Sequence, residues 1–130
     1  MTRFTARLLA LVALVAAIGA CGAAARAPVD SGIKGRVFIG PLCPVLQEGV
    51  PCPDAPYQAS IRIRRLSGKV VATVRSGRDG RFRVNLGAGL YFVEPLSPNA
   101  GAPPYAAPVT VRVYPQTFAR VRITYDSGIR

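Results

Sequence analysis

Three cysteines carry the most reactive side chains in this chain of 130 residues. Cys43 and Cys52 lie nine positions apart, a spacing that predicts a disulfide in an exported protein. A metal site is the weaker interpretation, because two thiolates need two further soft ligands and the sequence contains no histidine. Cys21 is left without a partner and directly follows an apolar run.

Arginine is the most common charged residue. The 17 lysines and arginines outnumber the 6 acids, which gives a formal net charge of +11. Guanidinium groups suit bidentate contact with phosphate and carboxylate. We therefore expect docking to an anionic surface, either lipid phosphates or an acidic partner protein in the cell envelope. The alternative is that charge only keeps exposed strands soluble and blocks edge pairing. Nucleic acid is not expected as a partner, because the N-terminal residues described below predict an exported and anchored protein. The candidate residues point outward in predicted strands: Arg62, Arg64, Arg81, Arg83, Arg112, Arg120 and Arg122.

No combination of residues supports catalysis. The lack of histidine excludes Ser-His-Asp and Cys-His nucleophile sites, and the Gly-x-Ser-x-Gly motif does not occur. The acids fall in or near predicted loops and strand ends, where nothing signals the burial that acid–base catalysis needs. These acids are Asp30, Glu48, Asp54, Asp79, Glu94 and Asp126. We predict a protein that is not an enzyme and has no catalytic residue, metal or cofactor.

Carbohydrate binding is the alternative function. Sugar platforms use exposed aromatic rings, and tryptophan is absent from the sequence. Tyr105 lies in the proline-rich segment 95–108, so its ring is the one that we expect to be most exposed. This alternative is a carbohydrate or peptidoglycan-binding module in which Tyr105 stacks on a sugar.

The first 20 residues have the features of a signal peptide. Arg3 and Arg7 form a basic start, and residues 8–20 contain no polar side chain. A membrane-spanning helix needs about 20 apolar residues, so this run is short for a span and typical of a signal sequence.

The residues Ile18-Gly19-Ala20-Cys21 resemble the lipobox of bacterial lipoproteins. That resemblance implies cleavage before Cys21 and acylation of its thiol, so that lipid chains hold the protein on the membrane. Gly22 follows, without the aspartate that retains such proteins at the inner membrane, so in a bacterium with two membranes the resemblance implies the periplasmic face of the outer membrane. Residues 21–32 are then a flexible tether. The alternative is an ordinary secretory signal.

Apolar residues alternate with polar ones through the rest of the chain, which predicts strands. Their apolar faces need a second sheet, so we predict an all-β, seven-stranded antiparallel β-sandwich at 33–125, followed by a tail at 126–130. A small barrel is the alternative. The predicted strands are 33–39, 57–66, 69–75, 81–86, 90–94, 108–114 and 117–125.

One stretch resembles the signature of carboxypeptidase regulatory-like domains. The pattern is a hydroxyl residue, then Asp-Gly-x-Phe, a leucine, and Gly-x-Tyr with an aliphatic residue. The resemblance implies a prealbumin-like sandwich and an accessory role, and it implies no reaction. The matching residues are Ser76, Asp79, Gly80, Phe82, Leu86, Gly89, Tyr91 and Val93.

Overall fold

A computed structural model describes residues 30–130 of the chain. The predicted signal peptide, Cys21 and most of the predicted tether lie outside the described residues. In the described part the chain forms strands and no helix. It also contains no helix long and apolar enough to cross a membrane. The strands are β1 (Gly32–Gly40), β2 (Ala55–Pro56), β3 (Ser60–Arg65), β4 (Val70–Arg75), β5 (Arg81–Asn85), β6 (Gly89–Pro95), β7 (Val109–Val113) and β8 (Phe118–Asp126).

The strands of residues 30–130 form two four-stranded sheets in a sandwich-like fold. In sheet A, β1 is central: β8 pairs along one edge, and β5 and β2 pair along the other. In sheet B the order is β4-β3-β6-β7, with every pairing antiparallel. The all-β prediction is therefore confirmed.

The core lies between the two sheets. Sheet A contributes Ile33, Val37 and Tyr125, and sheet B contributes Ile61 and Val93, each fully buried. These residues occupy apolar positions of the alternating pattern. Burial of one face of each strand is what holds the two sheets together.

Two details of the predicted strand arrangement are wrong. The short strand β2 makes eight strands rather than seven, and β1 pairs with β8 in parallel rather than antiparallel. The chain enters the fold before the predicted end of the tether: Ser31 is buried, its hydroxyl donates to the carbonyl oxygen of Leu86 at 2.6 Å, and Gly32 already belongs to β1. At the other end, Asp126 is still part of β8.

A bulge in β4 changes which side chains face the core. The pairing with β3 shifts between Ile63 and Arg64, so Val70 lies opposite Arg64 on the outer face. Val70 is therefore exposed and Val71 packs against the core, although strict alternation with Ala72 and Val74 would turn Val70 inward. An extra residue in one strand shifts the alternation of that strand, so the side chains beyond the bulge point to the opposite faces.

Residues of the motif from Ser76 to Val93 make contacts that stabilise the fold. The Ser76 hydroxyl accepts from the Ala59 backbone N–H at 2.8 Å and donates to the Tyr57 carbonyl oxygen at 2.8 Å, which ties the end of β4 to the chain before β3. The hydroxyl of buried Tyr91 donates to the Gly87 carbonyl oxygen at 2.7 Å. These contacts give Ser76 a structural role rather than a nucleophilic one.

The predicted disulfide is confirmed: Cys43 and Cys52 are bonded. They close the loop between β1 and β2, which exposes several aliphatic side chains, namely Leu42, Val45, Leu46 and Val50. Because this loop packs so little apolar surface, we attribute its order to the cross-link.

Replacing both cysteines with serine is expected to lower the free energy of unfolding by about 2.5–3 kcal/mol, the loop-closure entropy for a loop of this length. Denaturant unfolding measures the change. Reduction of the unaltered protein provides the control, because it should give the same loss. An unchanged denaturation midpoint in both samples would show that the cross-link does not constrain the unfolded chain.

Candidate anion-binding face

The strand pairing of sheet A places six cationic side chains together on its outer face. Lys34 of β1 lies opposite Arg83 of β5 and Arg120 of β8. Two residues further along β1, a second row of three forms in the same way. That row contains Arg81, Arg36 and Arg122. We call these six residues the cationic face.

The two rows form a compact lattice of positive charge. Neighbouring strands lie about 4.8 Å apart, and residues two apart on one strand are separated by roughly 6.4–6.8 Å. Within residues 30–130 the ion pairs give this face one acidic partner, Asp79, whose carboxylate lies 3.8 Å from Nε of Arg81. That pair is well exposed and contributes little screening of the rest.

Aromatic rings hold two of the arginines in place. The guanidinium carbon of Arg83 lies 3.9 Å from the ring centroid of Phe118, and that of Arg122 lies 3.8 Å from the centroid of Phe38. Contacts of this kind contribute about 0.5–1 kcal/mol at exposed sites. The two rings therefore reduce the rotamer freedom of these side chains and cover the ends of the cationic face.

The turn before β5 holds a third arginine. Nε of Arg36 donates to the Asp79 backbone carbonyl oxygen at 3.1 Å, and the Asp79 carboxylate accepts from the Arg81 backbone N–H at 3.0 Å. Since one donor of Arg36 is used in this way, its remaining guanidinium N–H groups are oriented by the turn.

An open groove runs between the two rows, with a volume of about 650 Å³. Its walls are the side chains of Lys34, Arg36, Arg81, Arg83 and Arg120. Gly35, Phe82 and Val121 form its floor. Gly35 has no side chain and the Phe82 side chain is buried in the core, so the floor is largely backbone.

The remaining predicted arginines lie on the opposite side of the sandwich. Arg62, Arg64 and Arg112 belong to sheet B. Glu94 of β6 accepts from Nε of Arg64 at 3.0 Å and lies 3.9 Å from Arg62, so two of these charges share a carboxylate. The structure thus divides the predicted set into two faces with different electrostatics.

Lys34 and Arg36 belong to the cationic face but were not among the predicted candidates. The signal was present, because both occupy the outward phase of the first predicted strand, between Ile33, Gly35 and Val37. They are the central residues of the two rows.

The exposed tyrosines do not form a sugar platform together. Tyr105 is 49% exposed and its backbone pairs with Asp126 at the end of β8. Tyr114 is 60% exposed and precedes the turn that leads into the start of β8. β8 has nine residues, so the two tyrosines lie near opposite ends of a strand that is roughly 26–27 Å long. Stacking of a sugar on Tyr105 stays a prediction without support from a second ring.

The residues with shifted pKa values have structural roles. Burial, with a smaller contribution from Tyr57, raises the pKa of Tyr125 to about 12, and the Tyr125 hydroxyl donates to the Leu96 carbonyl oxygen at 2.8 Å. A hydrogen bond from Arg130 lowers the pKa of Asp126 to about 2. Residues 30–130 contain no group of three or more acids and cysteines arranged to hold a metal ion.

Comparison with known proteins shows the fold and nothing further. No family model matches the sequence, and no curated protein matches it either. The structure is similar to the Bacillus anthracis TIE protein, with a TM-score of 0.52 and 12% sequence identity. The match covers 75% of this chain and 17% of the TIE protein chain, so this chain spans well under half of that protein's length. At that identity the likeness concerns the fold alone.

Proposed function

We propose that this protein is a non-catalytic binding module of the cell envelope, which docks on an anionic surface through the cationic face of sheet A. The observation that carries the proposal is the two-row lattice of Lys34, Arg36, Arg81, Arg83, Arg120 and Arg122 on one sheet face. Two adjacent rows of positive charge produce a stronger local potential than the same charges spread over the surface. They therefore attract an extended anion far better.

The contrast between the two outer faces supports docking over a purely solubilising role. Charges that serve solubility are normally mixed in sign. Sheet B is closer to that rule, since Glu94 lies within 3.9 Å of both Arg62 and Arg64. The cationic face has Asp79 only at its margin, and it places six like charges next to one another, at a repulsive cost that an anionic partner would offset.

The N-terminal sequence supports the same setting. We propose that Cys21 is acylated and anchors the protein at the periplasmic face of the outer membrane, with the domain reaching lipid phosphates or an acidic envelope protein. We also propose a prealbumin-like topology of the carboxypeptidase regulatory-like kind, on the motif from Ser76 to Val93. An accessory role without chemistry fits both assignments.

A vesicle-bridging measurement tests the docking proposal. The full chain is reconstituted in phosphatidylcholine vesicles, and capture of dye-loaded phosphatidylglycerol vesicles is measured. Changing Arg36, Arg120 and Arg122 to glutamine is expected to weaken capture roughly 100-fold, because each cation near such a surface contributes about 1 kcal/mol. Capture by the unaltered protein should fall steeply with added salt.

The matched control removes the same number of charges from sheet B, in Arg62→Gln, Arg64→Gln and Arg112→Gln. It should retain capture, since these residues lie on the other face. Circular dichroism of both variants establishes that they remain folded. Equal losses in the two triple variants would mean that net charge, and not the cationic face, governs binding.

A further inference from the structure

We propose that the groove between the two rows of the cationic face binds a phosphomonoester group, supplied by the head group of an envelope lipid. This inference rests on the docking function proposed above and narrows it to one ligand chemistry. Its basis is the groove of about 650 Å³ that five cationic side chains line from both sides.

The row spacing fits a tetrahedral anion. The rows lie roughly 6.4–6.8 Å apart at the backbone, and charge-assisted N–H···O bonds are about 2.7–2.9 Å long. An anion centred in the groove therefore has Arg36 and Arg81 on one side and Arg83, Lys34 and Arg120 on the other. A planar carboxylate has only two oxygens, and the guanidinium group of a single arginine can contact both. It therefore does not need donors from both rows.

Charge and oxygen count favour a monoester over a diester. A phosphomonoester carries about −1.5 to −2 charges at pH 7 and three acceptor oxygens, so it can contact both rows at once. A phosphodiester carries one charge and two terminal oxygens. It also has a substituent on each side, whereas the groove has walls on both sides and is open toward solvent.

The groove is organised before any ligand binds. Stacking on Phe118 holds Arg83, and the Asp79 carbonyl oxygen holds Arg36. Gly35 has no side chain, so the part of the floor that β1 provides is backbone. Preorganised donors lose less side-chain entropy on binding, which increases affinity without any additional contact.

A lipid is the source that the chain itself favours. Lys34 is thirteen residues after Cys21, the residue proposed to carry the acyl anchor. A chain of thirteen residues spans at most about 45 Å, so head-group phosphates of the same membrane surface stay within reach of the groove.

The test compares two vesicle compositions of equal surface charge, matched by electrophoretic mobility. One contains phosphatidic acid, a monoester, and the other contains phosphatidylglycerol, a diester. In the bridging measurement at pH 7.5, we expect roughly tenfold tighter capture of the phosphatidic acid vesicles, the value of one additional charge-assisted bond. Inorganic phosphate should compete with those vesicles selectively.

Acidification provides an independent readout. The second ionisation of a phosphomonoester lies near pH 6, so the preference should disappear between about pH 7.5 and 5 as the ligand loses its second charge. The other charged groups at the groove are the five lining cations with Arg122 and Asp79 beside them. Capture of phosphatidylglycerol vesicles, matched for charge at each pH, should change little.

Two pairs of variants locate the ligand. Arg36→Gln with Arg120→Gln should abolish the preference, and Arg62→Gln with Arg112→Gln should keep it. Arg36→Lys with Arg120→Lys retains the charge and should keep capture while reducing the preference, since lysine cannot make a bidentate contact.

Each outcome bears on a different proposal. Equal capture of the two vesicle types overturns the phosphomonoester groove and leaves docking on anionic surfaces standing. Capture of neither overturns both proposals. Binding of inorganic phosphate that depends on Arg36 and Arg120, without capture of phosphatidic acid vesicles, overturns the lipid as the source.

Discussion

Replacing Phe82 with alanine should lower the free energy of unfolding by about 3–5 kcal/mol, the usual cost of removing a buried aromatic ring. Phe82 is 6% exposed and packs across β1 at Gly35: a Cβ built on Gly35 would lie 2.8 Å from the Phe82 ring. The ring therefore fills the space that a side chain of β1 would otherwise occupy. Equilibrium denaturation with urea measures the loss.

Phe92→Ala is the matched control, because it deletes the same ring from a half-buried position of β6. We expect a loss of roughly 1 kcal/mol there, in proportion to the smaller apolar area removed from water. If the two variants lose equal stability, the core does not close over Gly35 as described. Loss of the Phe82 ring should also weaken anion binding by the cationic face, since Arg81 and Arg83 flank Phe82 on β5.

Changing Gly80 to alanine is expected to cost about 3 kcal/mol. Gly80 has a φ of +78°, in the left-handed region, where an L-residue pays about 1–2 kcal/mol. A Cβ at this position would also lie 2.2 Å from the Val37 carbonyl oxygen, a backbone atom that cannot move aside cheaply. The Gly80 carbonyl oxygen accepts from the Val37 N–H at 2.8 Å, so relief of the clash breaks this bond.

Gly68→Ala separates the two costs. Gly68 also has a left-handed φ, of +94°, but nothing lies within 4 Å of a Cβ placed there. Its loss should be only about 1 kcal/mol, the backbone cost alone. Thermal unfolding of both variants gives the comparison, and similar losses would contradict the close approach of Gly80 to β1.

Alternation along the chain was sufficient to predict the strands, because each strand buries one face and period-2 patterning follows from that. Three features do not follow from the alternation, namely the bulge in β4, the strand β2 and the parallel pairing of β1 with β8, and each depends on contacts between distant residues. β2 has two residues, Ala55–Pro56, too few for a pattern, and forms only because β1 extends past β5 and offers Phe38 and Ile39 as partners. The parallel pairing of β1 with β8 depends on how the chain crosses between sheets, which no local pattern records.

The candidate site was predictable as a list of residues but not as an arrangement. Arg81, Arg83, Arg120 and Arg122 point outward in any sandwich built from these strands. Their meeting in two rows requires that β1 lie between β5 and β8, in a register that places Lys34 and Arg36 at the centre. The sequence does not reveal register or strand order. The difference in charge distribution between this face and the outer face of sheet B was therefore not predictable.

The parallel alignment of β1 and β8 has a mechanical consequence. Nine residue pairs join the first and last strands of the described domain, from Gly32 with Phe118 to Gly40 with Asp126. A force that pulls the two ends of this domain apart acts along these strands, so their hydrogen bonds are sheared together and do not open one at a time. The described domain is therefore expected to resist tension applied between its two ends.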